Sequence, residues 1–70
     1  MTNTEKNIKA TELLIKANNL RINIRQMQND LRRLQGKTSE LFLEGLHIAI
    51  ENAEDKAIAA TNEANALLRS

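Results

Sequence analysis

Two short stretches of this 70-residue sequence hold residue types that could do chemistry, and the first is Gly36-Lys37-Thr38. It matches the end of the phosphate-binding loop GxxxxGK(S/T), whose backbone N–H groups and lysine hold nucleotide phosphates. The full loop needs a glycine five positions earlier and a preceding strand, whereas this chain has Leu31 there, inside a helical pattern. We therefore interpret the stretch as the end of one helix, a loop residue and the start of the next.

The second stretch is Glu44-x-x-His47, followed by Glu51, and it contains the only histidine. Glu-x-x-His is a ligand spacing of di-iron helical bundles. Leu43 and Leu46 take the inward positions of this helix, so Glu44 is expected on its outer side and His47 on its flank. Without cysteine, and without a serine that has a placed histidine and acid, no nucleophile is evident. We expect no metal, no cofactor, no small-molecule substrate and no enzymatic activity.

Composition limits the class of protein further. The chain has no Cys, Pro, Trp or Tyr, and its longest purely apolar run is four residues, 57–60. A membrane span needs about 20 apolar residues and a secretory h-region about 7–15. The abundance of Leu, Ile and Ala argues against disorder. These features predict one small domain over 1–70 that is soluble and cytoplasmic.

Capping and turn residues divide the chain into two helices. Thr2 and Glu5 form a Thr-x-x-Glu capping box, which predicts a first helix over about 3–35. Gly36 suits the left-handed residue after a helix end. Thr38 or Ser39 can cap a second helix over about 40–68, so the turn is 36–39. No stretch has the alternation or the hairpin dipeptide of a strand.

Apolar residues recur every seven positions in both helices, in two columns each. In an antiparallel pair joined at 36–39, facing positions sum to 77 throughout, from Leu34–Leu43 to Ala10–Leu67. The sequence therefore predicts an all-α, antiparallel two-helix hairpin that is coiled-coil-like. We call the predicted interface the seam. It consists of Ala10, Leu13, Ala17, Leu20, Ile24, Met27, Leu31 and Leu34 with Leu43, Leu46, Ile50, Ala53, Ala57, Ala60, Ala64 and Leu67.

Charge is divided unevenly along the chain. Residues 1–37 carry eight bases and three acids, a net charge of +5, and residues 38–70 carry two bases and six acids, a net charge of −4. The predicted register brings Arg21 near Glu54 and Lys16 near Glu63. We expect the basic and acidic halves to face each other through such pairs.

Large apolar residues also occur outside the core of the seam. Solvated helix backs do not normally carry three isoleucines in register, so these residues predict a partner. One interpretation is a homodimer, as a four-helix bundle or a longer assembly, and the other is a groove-binding face for a different protein. Gly45 is either a tolerated surface glycine or a point where another backbone approaches. The residues are Ile8, Ile15, Ile22, Leu41 and Ile48 on the outer sides, with Leu14 and Phe42 widening the seam.

These patterns give a first hypothesis of a non-enzymatic interaction protein, such as an adaptor, chaperone or inhibitor. The alternative is a nucleic-acid-binding regulator, because arginine and amide side chains contact phosphates and base edges. Against it, the face has no stacking aromatic and the chain is nearly neutral. The basic residues concerned are Arg25, Arg32, Arg33 and Lys37.

The layout of the two helices resembles known small hairpin proteins. It is similar in architecture to the Rop regulators of plasmid copy number, hairpin dimers that bind paired RNA loops through their first helices. It also resembles the small co-chaperones of type III secretion needle subunits. Both likenesses cover the two helices and involve no shared motif. The Rop-like layout implies RNA or DNA binding, and small non-catalytic hairpins also suit a phage or plasmid origin.

Overall fold

The computed structural model describes residues 2–70 and contains two α-helices, with no strand in that range. Helix α1 spans Asn3–Leu34 and helix α2 spans Glu40–Arg69. The Nζ atom of Lys6 donates a hydrogen bond to the carbonyl O of Ser70 at 3.1 Å, so the start of α1 lies beside the end of α2. The predicted all-α two-helix hairpin is confirmed. The Cα atoms extend over 52 × 14 × 12 Å, so the hairpin is a rod two helices wide.

A capping interaction begins α1. The Thr2 Oγ1 atom accepts a hydrogen bond from the backbone N–H of Glu5 at 3.1 Å. The same hydroxyl donates to Glu5 Oε1, also at 3.1 Å. The Glu5 carboxylate thus reaches back to the hydroxyl of the cap, whereas in a full capping box it reaches the backbone N–H. Either contact places a negative charge at the positive end of the helix dipole.

Gly36 provides the backbone conformation that turns the chain. Its φ angle is +77°, in the left-handed region that a Cβ atom disfavours. The backbone N–H of Lys37 then donates to the Leu34 carbonyl O at 2.9 Å, which satisfies one of the last carbonyls of α1. The glycine therefore acts in the turn, as the sequence indicated.

Ser39, rather than Thr38, caps α2. Its Oγ atom accepts a hydrogen bond from the backbone N–H of Phe42 at 3.2 Å. Glu40 follows in the first turn, where its charge is favourable to the helix dipole. The sequence allowed either residue as the cap, and the structure selects the one that lies next to the first helical residue.

The buried positions follow the predicted seam. All sixteen seam residues are buried or half-buried, and elsewhere in 2–70 only Lys6, Asp30 and Thr61 are not exposed. Two side-chain hydrogen bonds cross between the helices, from Lys6 to Ser70 and from Arg21 to Thr61. The residue numbers of the first pair sum to 76, next to the predicted constant of 77, and those of the second pair, which a long arginine side chain makes, sum to 82. The register expected from the heptads is therefore consistent with the packing of the hairpin.

Small side chains dominate the buried core. Five of its seven residues are alanines, and within 2–70 no large side chain is fully buried. An alanine methyl group removes little apolar area from water, so each of these residues contributes little to the free energy of folding. The hairpin consequently keeps many of its larger apolar groups outside the core. The buried residues are Ala10, Ala17, Ile24, Ile50, Ala57, Ala60 and Ala64.

The expected ion pairs across the seam, Arg21–Glu54 and Lys16–Glu63, are not formed in residues 2–70. Arg21 Nη2 instead donates to Thr61 Oγ1 at 2.9 Å, and that hydroxyl donates to the Ala57 carbonyl O at 2.9 Å. Arg21 and Glu54 do lie near each other, since both line one groove, but nearness in the register does not bring them into ionic contact. An exposed ion pair gains little free energy, so a fixed hydroxyl acceptor within reach can take its place.

Between residues 2 and 70, neither α1 nor α2 contains a stretch that is long and apolar enough to cross a membrane.

Candidate protein-binding surfaces

Three isoleucines form an exposed column on α1. Ile8, Ile15 and Ile22 are 55%, 56% and 47% exposed. Seven residues make almost two turns and rise about 10 Å, so the three side chains follow one another along the same side of the helix. That side lies opposite the seam, where residues two positions away, such as Ala10 and Ala17, are buried. We call this column the α1 edge.

The residues beside the α1 edge are polar but mostly uncharged. Charge is depleted in the same way at the centres of protein–protein interfaces, since desolvating a charge is costly. In the sequence, the run of amides after Lys16 is the signal of this feature, although it was not among the predictions. The exposed residues one helical turn from these isoleucines include Thr11, Glu12, Asn18, Asn19, Arg25 and Gln26.

A second apolar cluster lies on the outer side of α2, beside the turn. Phe42 is 52% exposed and lies about 100° around α2 from Leu41, on a flank next to the seam. Leu41 and Ile48 are 79% and 52% exposed, and we call these two residues the α2 edge. Gly45 lies between them, and a Cβ atom built there meets nothing within 4 Å. Contacts within the hairpin therefore do not require a glycine at this position. Three exposed carboxylates flank the α2 edge, on Glu40, Glu44 and Glu51.

The two edges lie on opposite sides of the hairpin. Each is on the side of its own helix that faces away from the other helix. They are also at different heights, because the α2 edge begins beside the turn and the α1 edge lies toward the other end of the rod. A single flat partner could not cover both edges of one hairpin.

One flank of the hairpin carries further apolar residues, of which Ile58 and Leu68 were missed in the sequence. The Arg21–Thr61 hydrogen bond shows which columns of α1 and α2 meet on this flank. Leu14 lies seven residues before Arg21 and Leu68 lies seven residues after Thr61, so these two leucines belong to the same columns. Leu14 is 39% exposed and Leu68 is 52% exposed. Extending the columns beyond the seam would have found Leu68.

The same flank contains an open groove of about 260 Å³. No concave site was expected for a two-helix chain. It forms beside Ala57, whose small side chain leaves space next to Ile24. One acid and one base line it, without a nucleophile, so its geometry suits an inserted apolar side chain better than a reaction. The lining residues are Arg21, Ile24, Gln28, Glu54, Ala57 and Ile58.

The four predicted nucleic-acid contacts do not form one stripe. Arg25 and Arg32 are seven residues apart and share a column, whereas Arg33 lies about 100° further around α1. The Arg33 guanidinium also makes an ion pair with Asp30 at 2.9 Å, the one such pair found between residues 2 and 70. Arg25, Arg32 and Lys37 are exposed. The structure thus places two of the predicted cations in one column on α1 and a third in the turn.

His47 is exposed on α2. Over residues 2–70, no group of three or more His, Cys, Asp or Glu side chains is arranged to hold a metal ion. Glu44 and Glu51 are also exposed, and neither joins His47 in such a group.

Comparison with known proteins gives no relative of this chain. No protein-family model matches it, and neither a curated protein nor a solved structure matches it significantly. The resemblance to the Rop regulators and to the type III secretion co-chaperones stays one of helix layout.

Proposed function

We propose that this chain is a non-enzymatic interaction protein, acting as an adaptor, chaperone or inhibitor, that binds a protein partner through its exposed apolar helix faces. One observation carries the proposal. Nine large apolar side chains are 39–79% exposed, while no large side chain within residues 2–70 is fully buried. The nine are Ile8, Leu14, Ile15, Ile22, Leu41, Phe42, Ile48, Ile58 and Leu68.

The α1 edge has the form of a helix that binds in an apolar groove. Such helices present anchor residues at regular helical spacing along one side. Ile8, Ile15 and Ile22 supply three anchors in line, and the residues beside them are mostly uncharged. Burying a fully exposed side chain of this kind gains about 1.5–3 kcal/mol, and these three are about half exposed, so each gains about 1 kcal/mol in a complex. The three anchors therefore favour one mode of binding, and neighbouring contacts must add to them to offset the cost of association.

A homodimer that closes a four-helix bundle is one form of this proposal. In a closed bundle each helix touches its two neighbours on sides about a quarter turn apart, so the contact between hairpins lies on a flank. The flank with Leu14, Leu68 and the groove beside Ala57 suits such a contact. Both edges would remain outside the bundle.

Affinity capture tests the proposed function. A tagged chain with Ile15→Asp and Ile22→Asp should bind its protein partner at least tenfold more weakly than the wild type, since two anchors are lost. The matched control is Ala59→Asp with Ala66→Asp, which makes the same charge change at the same spacing, at exposed positions of α2 outside both edges. Circular dichroism should show equal helicity in all three chains. If the isoleucine variant captures the same partner as strongly as the control does, the proposal is wrong.

The alternative function is a Rop-like regulator that binds RNA or DNA. What supports it is the exposed column of Arg25 and Arg32, with Lys37 in the turn. Several phosphate contacts would make the affinity fall steeply with salt concentration. Titration of mixed RNA and DNA across a salt series separates the two functions, because the interaction protein should not bind nucleic acid even at low salt.

A further inference from the structure

The two helices of the hairpin carry opposite net charge. Helix α1 has seven basic and three acidic side chains, a net charge of +4, and α2 has two basic and six acidic side chains, a net charge of −4. Within residues 2–70 no ion pair joins one helix to the other. One side of the rod is therefore basic and the other acidic, and both are free to act on a neighbouring molecule.

The apolar edges are distributed in the same way as the charge. The α1 edge lies on the basic helix and the α2 edge on the acidic helix, on opposite sides of the rod. A twofold contact through the α1 edge would bring two basic helices together, and one through the α2 edge would bring two acidic helices together. Only contact between unlike edges joins apolar surface to apolar surface and opposite charge to opposite charge.

We propose that copies of this chain associate edge to edge, with the α1 edge of one copy against the α2 edge of the next. This inference rests on the proposed function and identifies the partner as a second copy. The contact is heterologous, so every pair of chains keeps one free α1 edge and one free α2 edge. Association therefore continues beyond the dimer, into a ring or an open row of helices with alternating charge.

Charged residues at the edges add specificity to this contact. Arg25 lies three residues after Ile22, so it extends beside the α1 edge. Glu44 and Glu51 have the same relation to Leu41 and Ile48 on the α2 edge. All three charged side chains are exposed, and none forms an ion pair with another residue of the range 2–70. In the unlike-edge contact Arg25 can pair with Glu44 or Glu51, whereas a contact between two α2 edges brings these carboxylates together and is repulsive.

A mixing experiment tests the arrangement. One variant loses the α1 edge (Ile15→Asp with Ile22→Asp), and the other loses the α2 edge (Leu41→Asp with Ile48→Asp). By sedimentation velocity the wild type should form species larger than a dimer as its concentration rises, and each variant alone should have the mass of one chain. An equimolar mixture should form a dimer and stop there, because only one intact α1 edge and one intact α2 edge can meet.

Disulfide formation provides a second test that leaves the edges apolar. The chain has no cysteine, so single substitutions report one position each. Chains with Ile15→Cys and chains with Ile48→Cys should form several-fold more disulfide-linked dimer when mixed and oxidised than either does alone. The control mixture pairs Ile15→Cys with Asn65→Cys, a polar exposed site on α2.

Four results would overturn the arrangement. The first is an α2-edge variant that associates as strongly as the wild type, and the second is Ile15→Cys alone giving as much linked dimer as the mixture. Dimerisation of both edge variants by themselves is the third, since it indicates a bundle closed through the flank. A wild type that stays a single chain at every concentration, yet captures another protein through Ile15 and Ile22, also overturns it and leaves the proposed function standing.

Discussion

The backbone conformation requires a glycine at only one of the two glycine positions of the chain. Gly36 has a φ angle of +77°, a conformation that side chains with a Cβ atom adopt only with strain. Gly45 is helical, and a Cβ atom there would lie in open space. The first glycine is thus needed by the turn, while the second weakens α2 without a structural reason within the hairpin.

Replacing each glycine by alanine should change stability in opposite directions. Gly36→Ala should lower the free energy of unfolding by about 1–2 kcal/mol because alanine resists the left-handed conformation. Gly45→Ala should raise it by about 1 kcal/mol because alanine is the better helix former. Urea unfolding of dilute protein measures both. Equal shifts of the same sign would contradict the backbone roles described for the two positions.

The cap of α2 makes a second prediction at this scale. Ser39→Ala removes the acceptor of the Phe42 N–H and should destabilise the hairpin by about 1 kcal/mol. Thr38→Ala, one residue earlier, is the control and should have an effect close to zero. A larger loss for the Thr38 variant would show that the helix begins one residue earlier than the structure has it.

The helices and their buried sides were the part of the structure that could be predicted best. Apolar residues that recur with the repeat of the helical backbone mark the side of a helix that is buried. A heptad column fixes which side of α1 and of α2 is buried, whatever the rotamers are. Contacts of long side chains do not follow in this way. Arg21 could reach either Glu54 or Thr61 from its position, and periodicity cannot choose between them. The choice between Thr38 and Ser39 as the cap depended equally on the φ and ψ angles of the turn.

The half of the seam away from the turn is rich in alanine, so the two helices approach closely there. A larger side chain in this half should overpack the interface between the helices. Ala64 is 0% exposed, so Ala64→Leu should lower the free energy of unfolding by about 1–3 kcal/mol. Ala66→Leu is the matched control, since this position is exposed on the same helix and should change stability by less than about 0.5 kcal/mol. Comparable losses for the two variants would mean that the seam does not pass through Ala64.

At the scale of the whole molecule, function depends on what the hairpin leaves uncovered. The outer sides of both helices could be predicted, because a residue opposite a buried column must face away from it. The groove beside Ala57 could not, since it depends on how closely the helices approach at a small residue. The opposite placement of the two edges became evident only when the helices were folded against each other.

Sodium chloride should weaken the association of hairpins and leave the stability of the single hairpin almost unchanged. Among residues 2–70 the single ion pair, Arg33–Asp30, lies on the surface within α1, so screening by sodium chloride should hardly change the free energy of unfolding of dilute protein. Association between a basic and an acidic edge should weaken over the same salt range. Parallel urea unfolding and sedimentation measurements provide the comparison. Association that strengthens with sodium chloride would contradict the role given to Arg25, Glu44 and Glu51.

The most direct test of the central claim, that the exposed edges are covered by a partner copy, is the melting temperature as a function of protein concentration. Binding to the folded state raises the melting temperature by mass action. The wild type should therefore melt at a higher temperature as its concentration increases, and the chain with Ile15→Asp and Ile22→Asp should melt at a constant temperature. A wild-type melting temperature that stays unchanged across the whole concentration range would contradict the account.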